Sequence, residues 1–249
     1  ILLVPEQFTS STEGRIYREL GDALSGMVES FSFTSLAEKI LSTEGGAAVQ
    51  TLSDAGRAVL VRRALEELQD NVHYYHRHRR SAAFCQMAAQ TIDELKSAGL
   101  SGRQLAQLAG ACGAESGKLS ELALIFQGYE TLLARSGMDP SDRLELAGAR
   151  LEEALARHSL PEFLRDRAVF IDEFDTFNAP KKRLLGAMLA ALPSVTVALC
   201  DDGAPLLPGD LSLFSGAKQV AAQLRQLARK NGAEVAVPQL LRKDLRHRN

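Results

Sequence analysis

The sequence predicts an α/β protein in which a parallel β-sheet is interrupted by an inserted, all-helical subdomain. Short apolar runs alternate with helix-like segments over residues 1–49 and again over residues 164–249. Between them, residues 50–163 contain successive amphipathic helices and no strand-like run. Alternation of strands and helices is typical of a parallel sheet covered by helices. We therefore expect the first and third segments to share one sheet and the middle segment to form a separate helical subdomain.

The first segment reads as strand, helix, strand and helix. Residues 1–4 are a continuous apolar run, as expected for a strand that is buried on both faces. Residues 9–24 have the composition of a helix, with Ile16, Leu20 and Leu24 spaced four residues apart. Residues 27–33 are strand-like, and either Thr34 or Ser35 is expected to cap the helix that follows.

The middle segment contains residues that typically begin or end helices. Serine, threonine and aspartate favour the position before a helix, and proline favours its first turn. The predicted helix starts are Thr51 or Ser53, then Ser81, Ser101, the region of Leu119, and Asp139-Pro140. Gly99 and Pro161 are expected to end two of these helices. Five helices are therefore predicted here.

The third segment returns to alternation. Residues 168–171 and 195–199 are apolar runs of strand length, and residues 234–237 form a third candidate strand. Residues 181–192 and 218–230 have helical periodicity. These elements are expected to complete the parallel sheet.

Composition excludes several classes of protein. The 249 residues are 45% hydrophobic and 24% charged, as in an ordinary globular protein. The net charge is −2, so the overall electrostatic field does not indicate a nucleic acid or a membrane as partner. The three cysteines form no C-x-x-C pair, which favours a reducing, cytosolic setting. No apolar run approaches the length of a membrane span. The abrupt apolar start and charged end lead us to expect a segment of a longer protein.

The sharpest chemical motif follows the predicted strand at residues 168–171. Ligands of parallel sheets bind beyond the carboxyl ends of the strands, where Asp172 and Glu173 lie in the sequence. In a nucleoside triphosphatase the first such acid holds Mg²⁺ and the next orients the attacking water. The alternative is a solvated turn, because an acidic pair after a strand is common. Asp201 and Asp202 repeat the pattern after the next strand.

A phosphate-binding loop is missing from these 249 residues. The nearest string, residues 113–119, has one residue too few between its glycines and lacks the hydroxyl residue after lysine. It also lies between helices, whereas the phosphate loop requires a preceding strand. We therefore expect the segment alone to bind ATP–Mg²⁺ weakly and not to hydrolyse it.

Two basic stretches are candidates for other partners. Residues 73–80 combine three histidines, three arginines and two tyrosines. Such a run is compatible with a metal, with nucleic acid, or with a solvated connection between helices, and the last is the commonest case. Residues 218–249 are also basic and form either a nucleic-acid face or the exposed side of the final helix.

Several motifs, taken in order, resemble the amino-terminal helicase-like domain of the AddB-type component of the AddAB (RexAB-type) helicase–nuclease. The resemblance is carried by VPEQFT at 4–9, SFSFTSLA at 30–37, LSDAGR at 52–57, DPSDRL at 139–144, and VFIDEFDTF at 169–177. In related superfamily 1 helicases, the first two correspond to the motifs Ia and Ib that contact single-stranded DNA. The ordering covers essentially the whole chain.

The resemblance implies a P-loop NTPase fold of the superfamily 1 helicase type whose phosphate loop is absent from the segment. It implies a parent that works with an AddA-like partner subunit on single- and double-stranded DNA at double-strand breaks, in the cytoplasm. In the family the complex degrades DNA ends until it recognises a recombination hot-spot sequence. ATP and Mg²⁺ would bind in the parent, with Asp172 as a metal ligand, and an iron–sulfur cluster would lie outside the segment. Glu173 departs from the family pattern, which often has glycine, so ATP hydrolysis by the parent stays open.

The residues expected to contact DNA follow the first two strands. They are Gln7, Phe8, Thr9, Phe33, Thr34 and Ser35. Amides, hydroxyls and helix N-termini suit phosphates, and phenylalanine rings suit base stacking. The alternative for both phenylalanines is a place in the core. The competing function is a protein-interaction scaffold with a degenerate P-loop fold that does not contact nucleic acid.

Overall fold

The computed structural model describes residues 1–113 and 116–241. In that part of the chain it contains four β-strands and nine α-helices. The strands are β1 (Leu2–Leu3), β2 (Ser30–Phe31), β3 (Ala168–Ile171) and β4 (Ser194–Val197). They form one sheet in the order β2-β1-β3-β4, and every neighbouring pair is parallel. The predicted α/β class and its parallel sheet are confirmed.

Helices connect and follow the strands. In chain order, α1 to α9 span Thr9–Ser25, Phe33–Glu44, Asp54–Glu67, Ala82–Ser97, Gly102–Ala109, Ser116–Ser136, Pro140–Ala156, Ala179–Ala191 and Ser215–Lys230. Helix α1 is kinked at Gly21, whose φ of +67° is one that glycine adopts without steric cost. Helix α1 leads from β1 to β2, which gives the crossover that a parallel pair requires.

Local capping explains where several of the helices begin. The hydroxyls of Ser53, Ser81 and Ser101 each accept a hydrogen bond from the backbone N–H three residues later. These three predicted caps are confirmed. Helix α2 differs from the prediction, because it begins at Phe33 and the Ser32 hydroxyl accepts from the Ser35 N–H at 3.1 Å. The prediction of Thr34 or Ser35 as its cap was wrong by two or three residues.

The last predicted strand is absent from the described structure. Residues 234–237 are irregular, and Val237 is 88% exposed. A strand is stable only where a neighbouring strand satisfies its backbone groups. Within residues 1–113 and 116–241 the sheet ends at β4, so this segment has no strand beside it. The basic residues beyond position 241, like residues 114 and 115 of the glycine-containing string, lie outside the described residues.

The contacts divide the chain into two units. The sheet unit comprises Ile1–Ser35, His158–Phe177 and Leu185–Asn249, and the helical unit comprises Leu36–Arg157 and Asn178–Leu184. In the described part of residues 50–163, regular elements are helical, with one isolated bridge between Thr51 and Met138. The predicted domain boundaries at residues 49 and 163 stay a prediction.

Each unit has its own apolar interior. In the sheet unit, Leu3, Val4, Val169 and Ile171 are at most 2% exposed. Phe170, on the opposite face of β3 from Val169 and Ile171, is 51% exposed, so that strand is buried on one face. In the helical unit a larger cluster joins helices α3, α4, α5 and α6. Its fully buried members include Val61, Leu65, Ile92, Ile125, Phe126 and Tyr129.

Candidate nucleic-acid interface

Three strands of the sheet end at the same level, which places their following segments along one edge. The register pairs Leu3 with Phe31 and with Ile171. The Val4 N–H donates to the Phe31 carbonyl at 3.0 Å, and the Asp172 N–H donates to the Leu3 carbonyl at 3.0 Å. The residues after β1, β2 and β3 therefore start side by side at the carboxyl edge of the sheet, where parallel-sheet proteins bind ligands.

The segment after β1 turns directly into a helix. Glu6–Phe8 form a single 3₁₀ turn, and helix α1 starts at Thr9. Gln7 is exposed and Phe8 is 39% exposed. The Thr9 hydroxyl donates to the Glu6 carbonyl at 3.1 Å, so it is engaged within its own turn. Of the three residues predicted here, Gln7 and Phe8 offer the more accessible side chains.

The segment after β2 is held by a reciprocal serine pair. The Ser32 N–H donates to the Ser35 hydroxyl at 2.8 Å, and the Ser35 N–H donates to the Ser32 hydroxyl at 3.1 Å. The hydroxyl of Ser35 is therefore committed to the start of helix α2. Thr34, in the first turn, is exposed.

Phe33 is a core residue. This was one of the two positions that the sequence left open for it, the other being a place where it stacks on a DNA base. It is 3% exposed, and its ring makes edge contacts with Phe174 at 5.2 Å and with Phe177 at 6.1 Å between ring centroids. Edge-to-face packing of this kind stabilises aromatic clusters. A DNA base cannot stack on a ring that is enclosed in this way, so the expectation of a stacking role for Phe33 does not fit this structure.

The acidic pair after β3 adopts a strained turn. The Glu173 N–H donates to the Asp172 carboxylate at 2.9 Å, and Glu173 has a φ of +65°. Positive φ is uncommon for residues other than glycine and is characteristic of functional or tightly determined turns. Both side chains are half-buried at the carboxyl edge. Glycine at this position would adopt the same turn without strain.

The pair fits only part of a magnesium–nucleotide site. Asp172 offers a hard carboxylate oxygen, which Mg²⁺ prefers. Among the described residues no group of three or more acids, histidines or cysteines is placed to hold a metal ion. Mg²⁺ in nucleotide sites is held jointly by protein and phosphates. Asp172 could therefore supply one ligand, and the phosphate-binding part is not among these residues.

Asp202, of the second acidic pair, belongs to an ion-pair cluster that the sequence did not reveal. Lys218, only 5% exposed, lies 3.0 Å from Asp202 and 3.5 Å from Asp210. Hydrogen bonding from the Ala204 N–H and from Lys218 lowers the pKa of Asp202. These carboxylates secure the loop after β4 to helix α9. Lys218 lies 16 residues from Asp202 in sequence, and no local pattern joins them.

The helical unit contains two further buried carboxylates. Asp139, 1% exposed, accepts from the Tyr129 hydroxyl at 2.6 Å and pairs with the Lys96 ammonium at 2.7 Å. Burial and this hydrogen bond raise the pKa of Tyr129, and burial raises the pKa of Asp142, the second partner of Lys96. Glu121 accepts from three successive backbone N–H groups, those of residues 73–75. The sequence placed Asp139 before helix α7, but its side chain makes no capping hydrogen bond there. Its burial and the role of Glu121 were missed, because contacts between distant elements leave no periodic signal.

Within the described residues, no helix combines the length and apolar character that crossing a membrane requires. Fold and edge together define an α/β protein with a parallel sheet whose carboxyl edge presents exposed polar groups and an acidic turn. The chain belongs to the family described as "ADDB, N-terminal", whose model matches residues 1–249.

Curated relatives are named as the B component of an "ATP-dependent helicase/deoxyribonuclease". The relative from Desulforudis audaxviator is 34% identical over 246 residues, which cover 96% of this chain and 20% of the relative. The relative from Moorella thermoacetica is 32% identical, covering 94% of this chain and 21% of the relative. The relative from Clostridium perfringens (strain 13 / Type A) is 30% identical, covering 93% and 20%. The chain thus spans about a fifth of the length of these relatives, and the resemblance noted in its motifs is confirmed.

Proposed function

We propose that this chain is the DNA-contacting, helicase-like part of an ATP-dependent helicase–nuclease that processes double-strand breaks for recombinational repair. The observation that carries the proposal is that strands β1 and β2 end in register, so that the exposed residues Gln7 and Thr34 follow neighbouring strands at the carboxyl edge of the sheet. The chain's membership of this family supports it. Single-stranded DNA would lie along this edge. The hot-spot sequence would be recognised with the help of the same contacts.

The physical character of the edge suits weak binding to phosphates. The exposed groups are an amide and a hydroxyl beside the N-termini of helices α1 and α2, which favour anions. A net charge of −2 gives little long-range attraction. We expect a Kd of about 10⁻⁴ to 10⁻⁶ M for nonspecific single strands, with about two to four released counterions.

The nucleotide chemistry belongs to the proposal for the whole protein. We assign the sheet to the P-loop NTPase superfamily, with Asp172 as a Mg²⁺ ligand and Glu173 as the acid beside it when ATP is bound. An AddA-like partner, an iron–sulfur cluster outside these residues and a cytoplasmic location complete the proposal. The isolated chain should bind ATP–Mg²⁺ weakly, because an acidic pair does not supply the amide nest that holds phosphates. Sub-micromolar affinity by calorimetry would contradict this.

A protein-interaction scaffold is the second candidate function. It is favoured by large apolar side chains that are exposed in the sheet unit. Leu211 is 98% exposed and Leu213 is 90% exposed. Neighbouring apolar side chains that are exposed together as a patch are typical of surfaces that meet a partner protein. A scaffold would retain partner binding and lack DNA affinity, which separates the two functions.

The test replaces Gln7 and Thr34 with alanine together and measures binding of a fluorescein-labelled oligodeoxythymidine by anisotropy. We expect the Kd to rise several-fold, with circular dichroism and melting temperature unchanged because both side chains are exposed. The control carries Gln107→Ala and Thr43→Ala, two exposed helical residues that do not belong to the segments following β1 and β2. In the complete helicase–nuclease the same pair should disturb hot-spot recognition more than unwinding. A double variant that binds like the parent chain would refute the contact at the edge.

A further inference from the structure

The helical unit contains an open cavity lined by aromatic and basic side chains. Its volume is about 510 Å³. The side chains that matter are Tyr74, Tyr75, His78, Phe84, Met87 and Lys118, and we call this surface the aromatic groove. No aspartate or glutamate is among the described residues that line it. The groove is therefore apolar within and cationic at its rim.

Three rings form a layered wall of the groove. The Tyr75 and Phe84 rings are stacked with centroids 5.5 Å apart, and His78 lies against Phe84 at 5.4 Å. Tyr75 and Phe84 also pack on the core of the helical unit, so the wall has a firm support. Tyr74 and Met87, each 57% exposed, border the same cavity. Flat, partly exposed rings and a flexible thioether offer contact to a planar ligand.

The backbone beneath the aromatic groove is fixed in place. The Glu121 carboxylate, from helix α6, is 6% exposed and accepts hydrogen bonds of 2.7 to 3.2 Å from the N–H groups of residues 73–75. Tyr74 also lies on Gly117, where an added Cβ would come within 3.0 Å of the ring. A side chain held in this way loses little further conformational entropy when a ligand binds.

The segment that contributes Tyr74, Tyr75 and His78 to the aromatic groove also contains exposed arginines. Residues 73–80 include three arginines and no acid. Arg79 turns back to hydrogen-bond the ring nitrogen and the carbonyl of His76. Arg77 and Arg80 are exposed, and among the described residues neither forms an ion pair. Two exposed arginines that form no ion pair with a described acid are better suited to bind a polyanion than to bind a protein surface of mixed charge.

We propose that the aromatic groove is a binding site for single-stranded DNA, with a base stacked at Tyr74 and the adjoining phosphates paired with Arg77 and Arg80. Sequence-tolerant single-strand binding combines these two elements, a stacking platform and cations that follow the backbone. The N-terminus of helix α4, capped by Ser81 beside the cavity, adds to the positive potential. The site rests on the proposed function in taking DNA as the ligand, but it is formed by other residues than the edge that contains Gln7 and Thr34.

The experiment uses the purified 249-residue chain and a labelled oligodeoxythymidine of about 15 nucleotides, long enough for one such site. Tyr74→Ala should raise the Kd at least about fivefold, the lower range for loss of one base stack. Tyr74→Phe should bind like the parent, because the ring is retained. Tyr17→Ala is the matched control, since Tyr17 is 55% exposed and lies outside the groove.

Two further measurements separate stacking from simple charge attraction. The chain has four tyrosines and no tryptophan, so its tyrosine emission is directly observable, and saturating DNA should quench it less in Tyr74→Ala than in the parent. Arg77→Gln with Arg80→Gln should lower the salt slope by about 1.4, the value for two phosphates on a single strand. Arg103→Gln with Arg135→Gln removes the same charge from exposed positions of the helical unit and should leave the slope unchanged.

The proposal is overturned if Tyr74→Ala binds DNA no more weakly than Tyr17→Ala, or if saturation leaves the tyrosine emission unchanged. It is also overturned if Tyr74→Ala leaves DNA binding intact but abolishes a self-association seen by sedimentation, which would make the groove a protein contact.

A parent chain that binds no oligonucleotide refutes this site and the proposed function together. If the variant with Gln7→Ala and Thr34→Ala binds DNA like the parent while Tyr74→Ala weakens binding, only the contact at the sheet edge is refuted. The opposite pattern refutes only the groove.

Discussion

The helical unit and the sheet unit both bury paired charges, but they differ in their apolar packing. Asp139 and Glu121 are buried and engaged in the helical unit, as Lys218 is in the sheet unit. The helical unit also contains a large cluster of fully buried apolar side chains. In the sheet unit, two strands are only two residues long, and Leu211 and Leu213 are almost completely exposed. Helices satisfy their own backbone groups, whereas a sheet depends on neighbours for every strand. The comparison indicates that internal stability resides mainly in the helical unit, and that the sheet unit offers surface for contacts.

The largest expected effect tests this difference in apolar packing. Phe126→Ala, at a fully buried position of helix α6, should lower the free energy of unfolding by about 3–5 kcal/mol, because it leaves a cavity. Leu211→Ala, at a position that is 98% exposed, should change it by less than about 0.5 kcal/mol. Urea unfolding followed by circular dichroism measures both. Equal losses would show that Leu211 is packed as closely as Phe126, which would contradict the comparison.

The second prediction concerns the buried ion pair. Asp139→Asn should cost about 3 kcal/mol, because the Lys96 ammonium, whose side chain is 11% exposed, loses its most buried charged partner. Asp54→Asn is the control, since the Asp54 side chain is 92% exposed and its partner Arg57 keeps a second carboxylate, Asp93, at 3.4 Å. Thermal and urea unfolding of both variants provide the measurement. A loss for Asp139→Asn no greater than that of the control would mean that the network contributes nothing to stability.

The third prediction concerns the support of the aromatic groove. Glu121→Gln should destabilise the helical unit by about 2 kcal/mol, because charge-assisted bonds to three N–H groups are replaced by weaker ones to a neutral amide. Hydrogen exchange of the amides of residues 73–75 should accelerate more than that of helix α6. Glu67→Gln, an exposed residue paired with Arg63, is the matched control. Unchanged exchange at residues 73–75 would contradict the assignment.

The smallest effect is a dependence on pH. A bidentate hydrogen bond from Arg143 lowers the pKa of Glu38 from its ordinary value of 4.5. This stabilisation is present above the ordinary pKa and is lost as the pH falls through the lowered folded-state value. Because the Glu38 side chain is 45% exposed, Glu38→Gln should cost less than about 1 kcal/mol at neutral pH. The difference from the parent should vanish in acid. A difference that grows with acidity would have the wrong sign.

The sequence alone determined the class of fold and most local boundaries. The strand at residues 168–171 and the caps Ser53, Ser81 and Ser101 were predicted at the residues where they occur. These signals are local, since a cap hydroxyl meets an N–H three residues away and helical periodicity repeats within one turn. The ordered motifs carried the family resemblance. The positions of Gln7, Thr34 and the acidic turn at one edge followed from the parallel arrangement.

Only the tertiary structure decided which of these residues are accessible. Phe33 lies next to the exposed Thr34, yet it is enclosed by Phe174 and Phe177, which are more than a hundred residues away in sequence. Glu121 secures a loop at residues 73–75 that no pattern connects to it, and the apolar run at 234–237 lacks the strand partner that its composition favours. Burial, pairing of charges and strand formation all depend on distant parts of the chain, whereas composition and periodicity report only on neighbours.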